Sequence, residues 1–152
     1  VPAMAMTRRA WTIVGVTAIV LIAALAYLRD PPWLVRVTSG LTDWETDGDG
    51  TRYRWTSGRG SFFVPASNEF VTFRIRAPKE DPADWPITAR VTIDDRPADV
   101  IKVSDQEWSL VRLRLPSPAG RKVRRIDIKL DRVRSGNRGV QLQLEAPDTG
   151  GR

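Results

Sequence analysis

From about residue 41 onward, apolar and polar side chains alternate in a series of short segments. In "FVTFRIRA", Val71, Phe73 and Ile75 fall on one side, with Thr72, Arg74 and Arg76 on the other. "ITARVTI" sets Ile87, Ala89, Val91 and Ile93 against Thr88, Arg90 and Thr92. "LVRLRLP" sets Val111, Leu113 and Leu115 against Leu110, Arg112 and Arg114. "VRRIDIKL" and "VQLQLEA" continue the alternation with Ile126, Ile128 and Leu130, then Val140, Leu142 and Leu144. A period of two predicts strands with one buried and one wet face. Turn chemistry separates them: "DDRP" at Asp94–Pro97, "PSPAG" at Pro116–Gly120 and "SGNRG" at Ser135–Gly139. "APKEDPADWP" is a longer acidic loop broken by proline. No stretch after Asp30 carries a helical period. Strands at this spacing predict an all-β fold, a β-sandwich or small barrel over residues 41–147, with residues 148–152 as a tail.

The first residues follow another rule. Residues 11–28 contain no charge and no proline. As a helix they span about 27 Å, close to a hydrocarbon core of about 30 Å, which predicts a transmembrane helix or uncleaved signal anchor. Arg8 and Arg9 precede the run, while Arg29 and Asp30 follow it and cancel. The positive-inside rule therefore puts residues 1–10 in the cytoplasm and the C-terminal domain on the extracytoplasmic side of a bacterial cytoplasmic membrane. Trp11 and Tyr27 stand at the two ends, where amphipathic rings favour the interface. The rival reading is a cleaved signal peptide, with Ala24-Leu25-Ala26 as its cleavage site. Both readings export the rest of the chain. Pro31 and Pro32 stop the helix, and residues 29–40 read as a linker and first extended segment.

Composition narrows the chemistry. The 152 residues carry a formal charge of +6 and include neither Cys nor His. That excludes Ser–His and Cys–His nucleophiles, thiolate and imidazole zinc sites, and disulfides. A carboxylate pair or an oxygen-ligand calcium site remains open. Nothing singles out a catalytic pair among acids such as Glu80, Asp81 and Asp84 in their proline-rich loop, so the expectation is a protein that is not an enzyme.

Five segments come in a telling order: "RYRWTSGRGSFFV", "VTFRIRAP", "VTIDDRP", "EWSLVRLRLP" and "RRIDIKL". Trp108–Pro116 has the form W-x-x-V-x-L-x-L-P. This arrangement resembles the galactose-binding-like jelly-roll sandwiches found in bacterial envelope proteins and carbohydrate-binding modules. The resemblance implies a non-catalytic binding module for carbohydrate or an envelope glycopolymer. The alternative is a structural or accessory subunit that docks onto a larger membrane or cell-envelope complex. Nucleic acid is not an expected partner.

Three groups of residues are candidates for a site. Asp43, Glu45, Asp47, Gly48 and Asp49 match the opening of an EF-hand loop. The twelfth position, where a bidentate Glu belongs, is Arg54, and that rules the EF-hand out. A looser structural calcium on Asp43, Asp47 and Asp49 competes with a plain solvated acidic turn. Among the aromatics, Trp44 and Trp85 lie in loops and are candidates to stack on a sugar ring. Tyr53 and Trp55 are two apart and share one side of a strand, so they read as core anchors, with Arg52 and Arg54 on the wet side. Tyr53 and Arg54 stay on the ligand-binding set beside the two loop tryptophans, while Trp108 reads as core. Last, Arg121, Lys122, Arg124, Arg125, Arg132 and Arg134 crowd one segment and suit an anionic surface, against the plain reading of a solvated strand face.

Overall fold

The structure, a computed structural model, describes residues 8–77, 86–104, 106–133 and 138–144. It divides after Pro32 into two units. Helix α1, Arg8–Arg29, has 22 residues and buries none of them. At about 1.5 Å per residue it extends about 33 Å, and it is long and apolar enough to cross a membrane.

The second unit is built from β1 (Thr38–Leu41), β2 (Glu45–Thr46), β3 (Arg52–Pro65), β4 (Phe70–Arg76), β5 (Ile87–Ile93), β6 (Arg96–Val103), β7 (Ser109–Arg114), β8 (Val123–Leu130) and β9 (Gln141–Leu144). The hydrogen-bonded order is β6-β5-β8-β3-β9-β4-β7. Strand β3 belongs to both halves of that path. It pairs with β9 at Arg54 and Trp55, then with β8 from Arg59 to Pro65. One sheet is thus β6-β5-β8-β3 and the other β3-β9-β4-β7, in a jelly-roll-type sandwich. Strands β1 and β2 pair with β3 as well.

The alternation in the sequence builds the core directly. Ala89, Val91 and Ile93 of β5 lie opposite Leu130, Ile128 and Ile126 of β8. Val71 and Phe73 of β4 lie opposite Leu113 and Val111 of β7. All of these join a single buried cluster. Phe62 on β3 meets Phe73 on β4 edge to face, with ring centroids 5.9 Å apart, and so ties the two sheets together. Asp94 and Asp95 both take positive φ in the turn between β5 and β6, the geometry of a tight hairpin.

The passage of β3 from one sheet to the other sets the tightest local geometry. Thr56 lies at the switch and is completely buried. Its backbone N–H donates to the Val140 carbonyl at 2.8 Å, and its carbonyl accepts from the Gly139 N–H at 2.8 Å. Its hydroxyl adds two more links, accepting from the Val140 N–H at 3.0 Å and donating to the Val140 carbonyl at 3.2 Å. The backbones approach too closely here for side chains. A Cβ at Gly139 would overlap a Leu130 methyl and stand 2.7 Å from the Thr56 hydroxyl. Strand β1 follows the bend by shifting register between Ser39 and Leu41. Gly40 makes that shift with φ +66°, and a Cβ there would overlap the Arg59 carbonyl.

Replacing Thr56 by Val keeps the volume but leaves the buried Val140 N–H without an acceptor. The expected cost is about 1–3 kcal/mol in a urea melt followed by tryptophan fluorescence. A midpoint equal to that of the parent chain would show that the hydroxyl does not hold the junction.

A cleft between the sheets carries the candidate site

The loop between β1 and β2 is stitched to β3. Thr42 N–H donates to the Trp55 carbonyl at 2.9 Å, and the Trp55 N–H donates to the Thr42 hydroxyl at 2.9 Å. This anchoring projects Trp44, which is 43% exposed. The Arg52 and Arg54 guanidiniums lie over its ring, 4.9 and 5.6 Å from the centroid. Arg54 is half-buried and held in place by neutral acceptors. It donates to the Thr42 carbonyl, to the Thr38 hydroxyl at 2.9 Å and to the Leu41 carbonyl at 3.3 Å. Burial lowers its pKa, with the Asp43 carboxylate acting in the opposite direction.

Trp44 and Arg54 border a cleft of about 650 Å3 that opens at the edge of the core. Its floor is apolar: Phe62, Val64, Val71 and Leu144. Its rim is polar: Arg36, Thr38, Asn68 and Thr72 join Trp44 and Arg54. Phe63 and Phe70 line it as well, and the Arg112 guanidinium lies over the Phe70 ring, 4.0 Å from its centroid. An apolar floor with a few convergent donors and an exposed indole suits the face of a sugar ring, whose C–H groups stack and whose hydroxyls take hydrogen bonds. A larger hollow of about 830 Å3 opens near the turn between β5 and β6. It has no aromatic lining, and its Arg114 is paired with Glu69 at 3.6 Å.

The other expected ligand residues lie elsewhere. Tyr53 and Trp55 are buried, but not in the main core. Trp55 is in register with Gln141, and Gln141 with Arg76, whereas Arg54 is in register with the core residue Leu142. Tyr53 and Trp55 therefore occupy the opposite face of the sheet, and Arg54 points toward the sandwich interior at its mouth. Trp108, expected in the core, is half-buried on that same outer face under the Arg76 guanidinium, 4.3 Å from its ring centroid. Tyr53 stacks near both tryptophans, with centroids 6.2 Å from Trp55 and 6.4 Å from Trp108. The Glu45 carboxylate accepts from the Tyr53 hydroxyl and the Trp55 indole N–H, each at 3.2 Å. Burial and the Glu45 hydrogen bond push the Tyr53 phenol above its usual value. Trp85 lies outside the described residues.

The acidic loop does not assemble the expected calcium ligands. Among the described residues no group of three or more His, Cys, Asp or Glu converges on a point that could hold a metal. Asp47 is taken by an ion pair with Arg76. Asp49 accepts from the Thr51 N–H at 2.9 Å and closes a turn, and Asp43 is exposed. The turn reads as structural, with its acids directed at neighbouring cations and amides.

The basic segment is also divided, because adjacent strand residues face opposite ways. Arg124 points inward and is 6% exposed, paired with Asp94 at 2.6 Å and donating to the Ser117 and Pro116 carbonyls. It presents no surface to an external anion. Arg125 points outward, half-buried, between Asp127 at 2.8 Å and Asp95. Arg121 and Lys122 lie in the turn before β8, Arg132 pairs with Asp131 at 3.8 Å, and Arg134 lies outside the described residues. No continuous anionic-contact face forms from the described members. Sequence reasoning missed the cleft floor, Asn68 and Arg36, because they come together only when β1, β3 and β4 meet.

The sequence matches no family model and no curated protein. Several solved structures overlap at low similarity. A family two carbohydrate esterase from Clostridium thermocellum in complex with cellohexaose gives 13% identity and a TM-score of 0.43, over 73% of this chain and 33% of the esterase. A family GH115 4-O-methyl-alpha-glucuronidase with specificity for decorated arabinogalactans gives 14% and 0.40, over 72% of this chain and 18% of that one. The salicylyl-acyltransferase SsfX3 of a tetracycline biosynthetic pathway gives 12% and 0.40, over 76% and 39%. Overlaps this slight carry no argument about activity or ligand.

Asp127 generates a pH prediction. Burial alone would raise its carboxyl, but the Ser61 hydroxyl at 2.6 Å, Arg125 at 2.8 Å and Arg59 at 3.2 Å outweigh burial and hold it below the ordinary 3.8. A depressed carboxyl stabilises the fold above its unfolded pKa, and that contribution is lost as pH falls through the folded value. Asp127→Asn should therefore lower stability at neutral pH and flatten the decline between about pH 5 and pH 2. Parallel pH curves for the two proteins would contradict this.

Proposed function

We propose that this chain is a membrane-anchored, extracytoplasmic, non-catalytic module that binds a carbohydrate or envelope glycopolymer. The observation that carries the reading is the cleft beside Trp44: an exposed ring at the mouth, apolar side chains at the floor and donors on the rim, of which Arg54 is held in place. A folded chain keeps an indole so exposed at the edge of a polar-rimmed hollow at some cost in solvation, and a stacked ring removes that cost. The apolar helix α1, with Arg8 and Arg9 in its first turn, supports the anchor and its orientation. With neither His nor Cys in the chain, the cleft has no imidazole or thiolate to activate a nucleophile.

A second reading, an accessory subunit of a larger envelope complex, draws on β6. This strand ends the sheet order and leaves Val100 59% exposed along its edge. An open edge offers backbone groups to another chain. Stable co-purification with a membrane protein in mild detergent, without glycan binding, would favour it.

The first reading is tested with the full chain in detergent on an array of bacterial envelope glycans. Trp44→Ala should weaken the best ligand by about 2 kcal/mol, roughly thirtyfold, as expected for the loss of a buried aromatic surface. Unchanged binding in that variant would remove the cleft from the account.

A further inference from the structure

The charge around the cleft is one-sided. Arg36 and Arg54 border it, and the Arg52 guanidinium lies over the Trp44 ring, 4.9 Å from its centroid. Among the described residues no Asp or Glu lines it. Among the described residues, none of these three arginines has a carboxylate within ion-pair distance, although Arg59, Arg76, Arg124, Arg125 and Arg132 each have one. The hydrogen bonds of Arg54 go to two carbonyls and a hydroxyl, and Asp43, the carboxylate whose charge acts on it, is exposed and forms no ion pair with it. Its partial burial makes that net charge count for more than it would on an open surface.

Resting on the binding reading above, we propose that the cleft selects an acidic saccharide, a sugar unit that bears a carboxylate. The sugar ring lies on Trp44 and the apolar floor. Its carboxylate faces Arg36 and Arg52 across the mouth, where both are exposed and can reorient. Arg54 supplies a fixed positive field behind them. A neutral sugar would leave this charge uncompensated, and a carboxylate answers it with charge-assisted hydrogen bonds.

The test compares a short oligogalacturonide with its fully methyl-esterified form, which keeps the shape and removes the charge. Calorimetry on the full chain in detergent should show the acid bound about tenfold or more tightly, the factor that one charge-assisted hydrogen bond corresponds to. Its affinity should fall with added salt. Arg36→Gln combined with Arg52→Gln should bring the two ligands close to equal affinity. Among the described residues neither side chain makes a hydrogen bond or ion pair, unlike Arg54, so the variant is expected to fold. Equal binding of acid and ester to the parent chain overturns the charge selection and leaves saccharide binding standing. Binding of neither, with envelope glycans also unbound, overturns both. Binding only to vesicles of anionic phospholipid, with no response to the soluble oligosaccharide, also overturns the proposal and points to lipid headgroups as the anion.

Discussion

Strand β3 has to serve two sheets at once, and the rest of the domain is arranged around how it does so. Thr56 holds the switch, with backbone and hydroxyl both engaged by Val140 and Gly139. Because β3 keeps its pleat through the bend, its residues alternate faces without a break. Arg54, Thr56, Gly60 and Phe62 look inward, while Tyr53, Trp55 and Ser61 look outward. That one constraint sends Arg54 to the mouth of the sandwich and Phe62 into the meeting of the sheets. It also puts Tyr53 beneath Arg76 and Trp55 beneath Arg138 on the far side.

The outer cluster and the cleft show how similar residues take different roles. On the outer face, Arg76 lies over Tyr53 and Trp108, pairs with Asp47 and donates to Gln141 at 2.5 Å. Its charge is compensated, and Tyr53 and Trp55 are closed off from solvent. Beside the cleft, Arg52 and Arg54 lie over Trp44 with no carboxylate in ion-pair distance among the described residues, and the ring is still 43% exposed. In the first arrangement Arg76 has its carboxylate, while the buried Trp108 indole N–H and one Asp47 oxygen have no hydrogen-bond partner among the described residues. In the second, no carboxylate among the described residues pairs with Arg52 or Arg54, and this difference in charge compensation is what favours the cleft as the proposed site.

Much of the fold was legible in the sequence, since an antiparallel sandwich writes its core as strict alternation. The inward faces of β4, β5, β7, β8 and β9 all follow that pattern. Strand β6 was missed because it is an edge strand, exposed along most of its length, and exposure removes the alternation. The face of Tyr53 and Trp55 was misread because their alternation with Arg52 and Arg54 was taken as core side against wet side. Following the pleat onward to Ser57, Arg59 and Ser61 would have placed them outside. Trp108 shows the same error: it continues the wet row of Leu110, Arg112 and Arg114, against the core row of Val111 and Leu113. The basic segment was read as a patch although strand neighbours cannot share a face. Trp44 was legible as an exposed loop ring. Its cleft was not, because Arg36, Asn68 and Leu144 lie far apart in the chain and only the sheet topology joins them.

The most direct measurement distinguishes the cleft from the outer cluster. The indole N–H resonances of the tryptophans can be followed while an acidic oligosaccharide is titrated into the full chain in micelles, with Trp44 assigned by a Trp44→Phe variant. The account predicts that the Trp44 resonance moves with saturation while those of Trp55 and Trp108 stay in place. Movement of Trp108 and Trp55 with a stationary Trp44 would put the ligand on the outer face and contradict it.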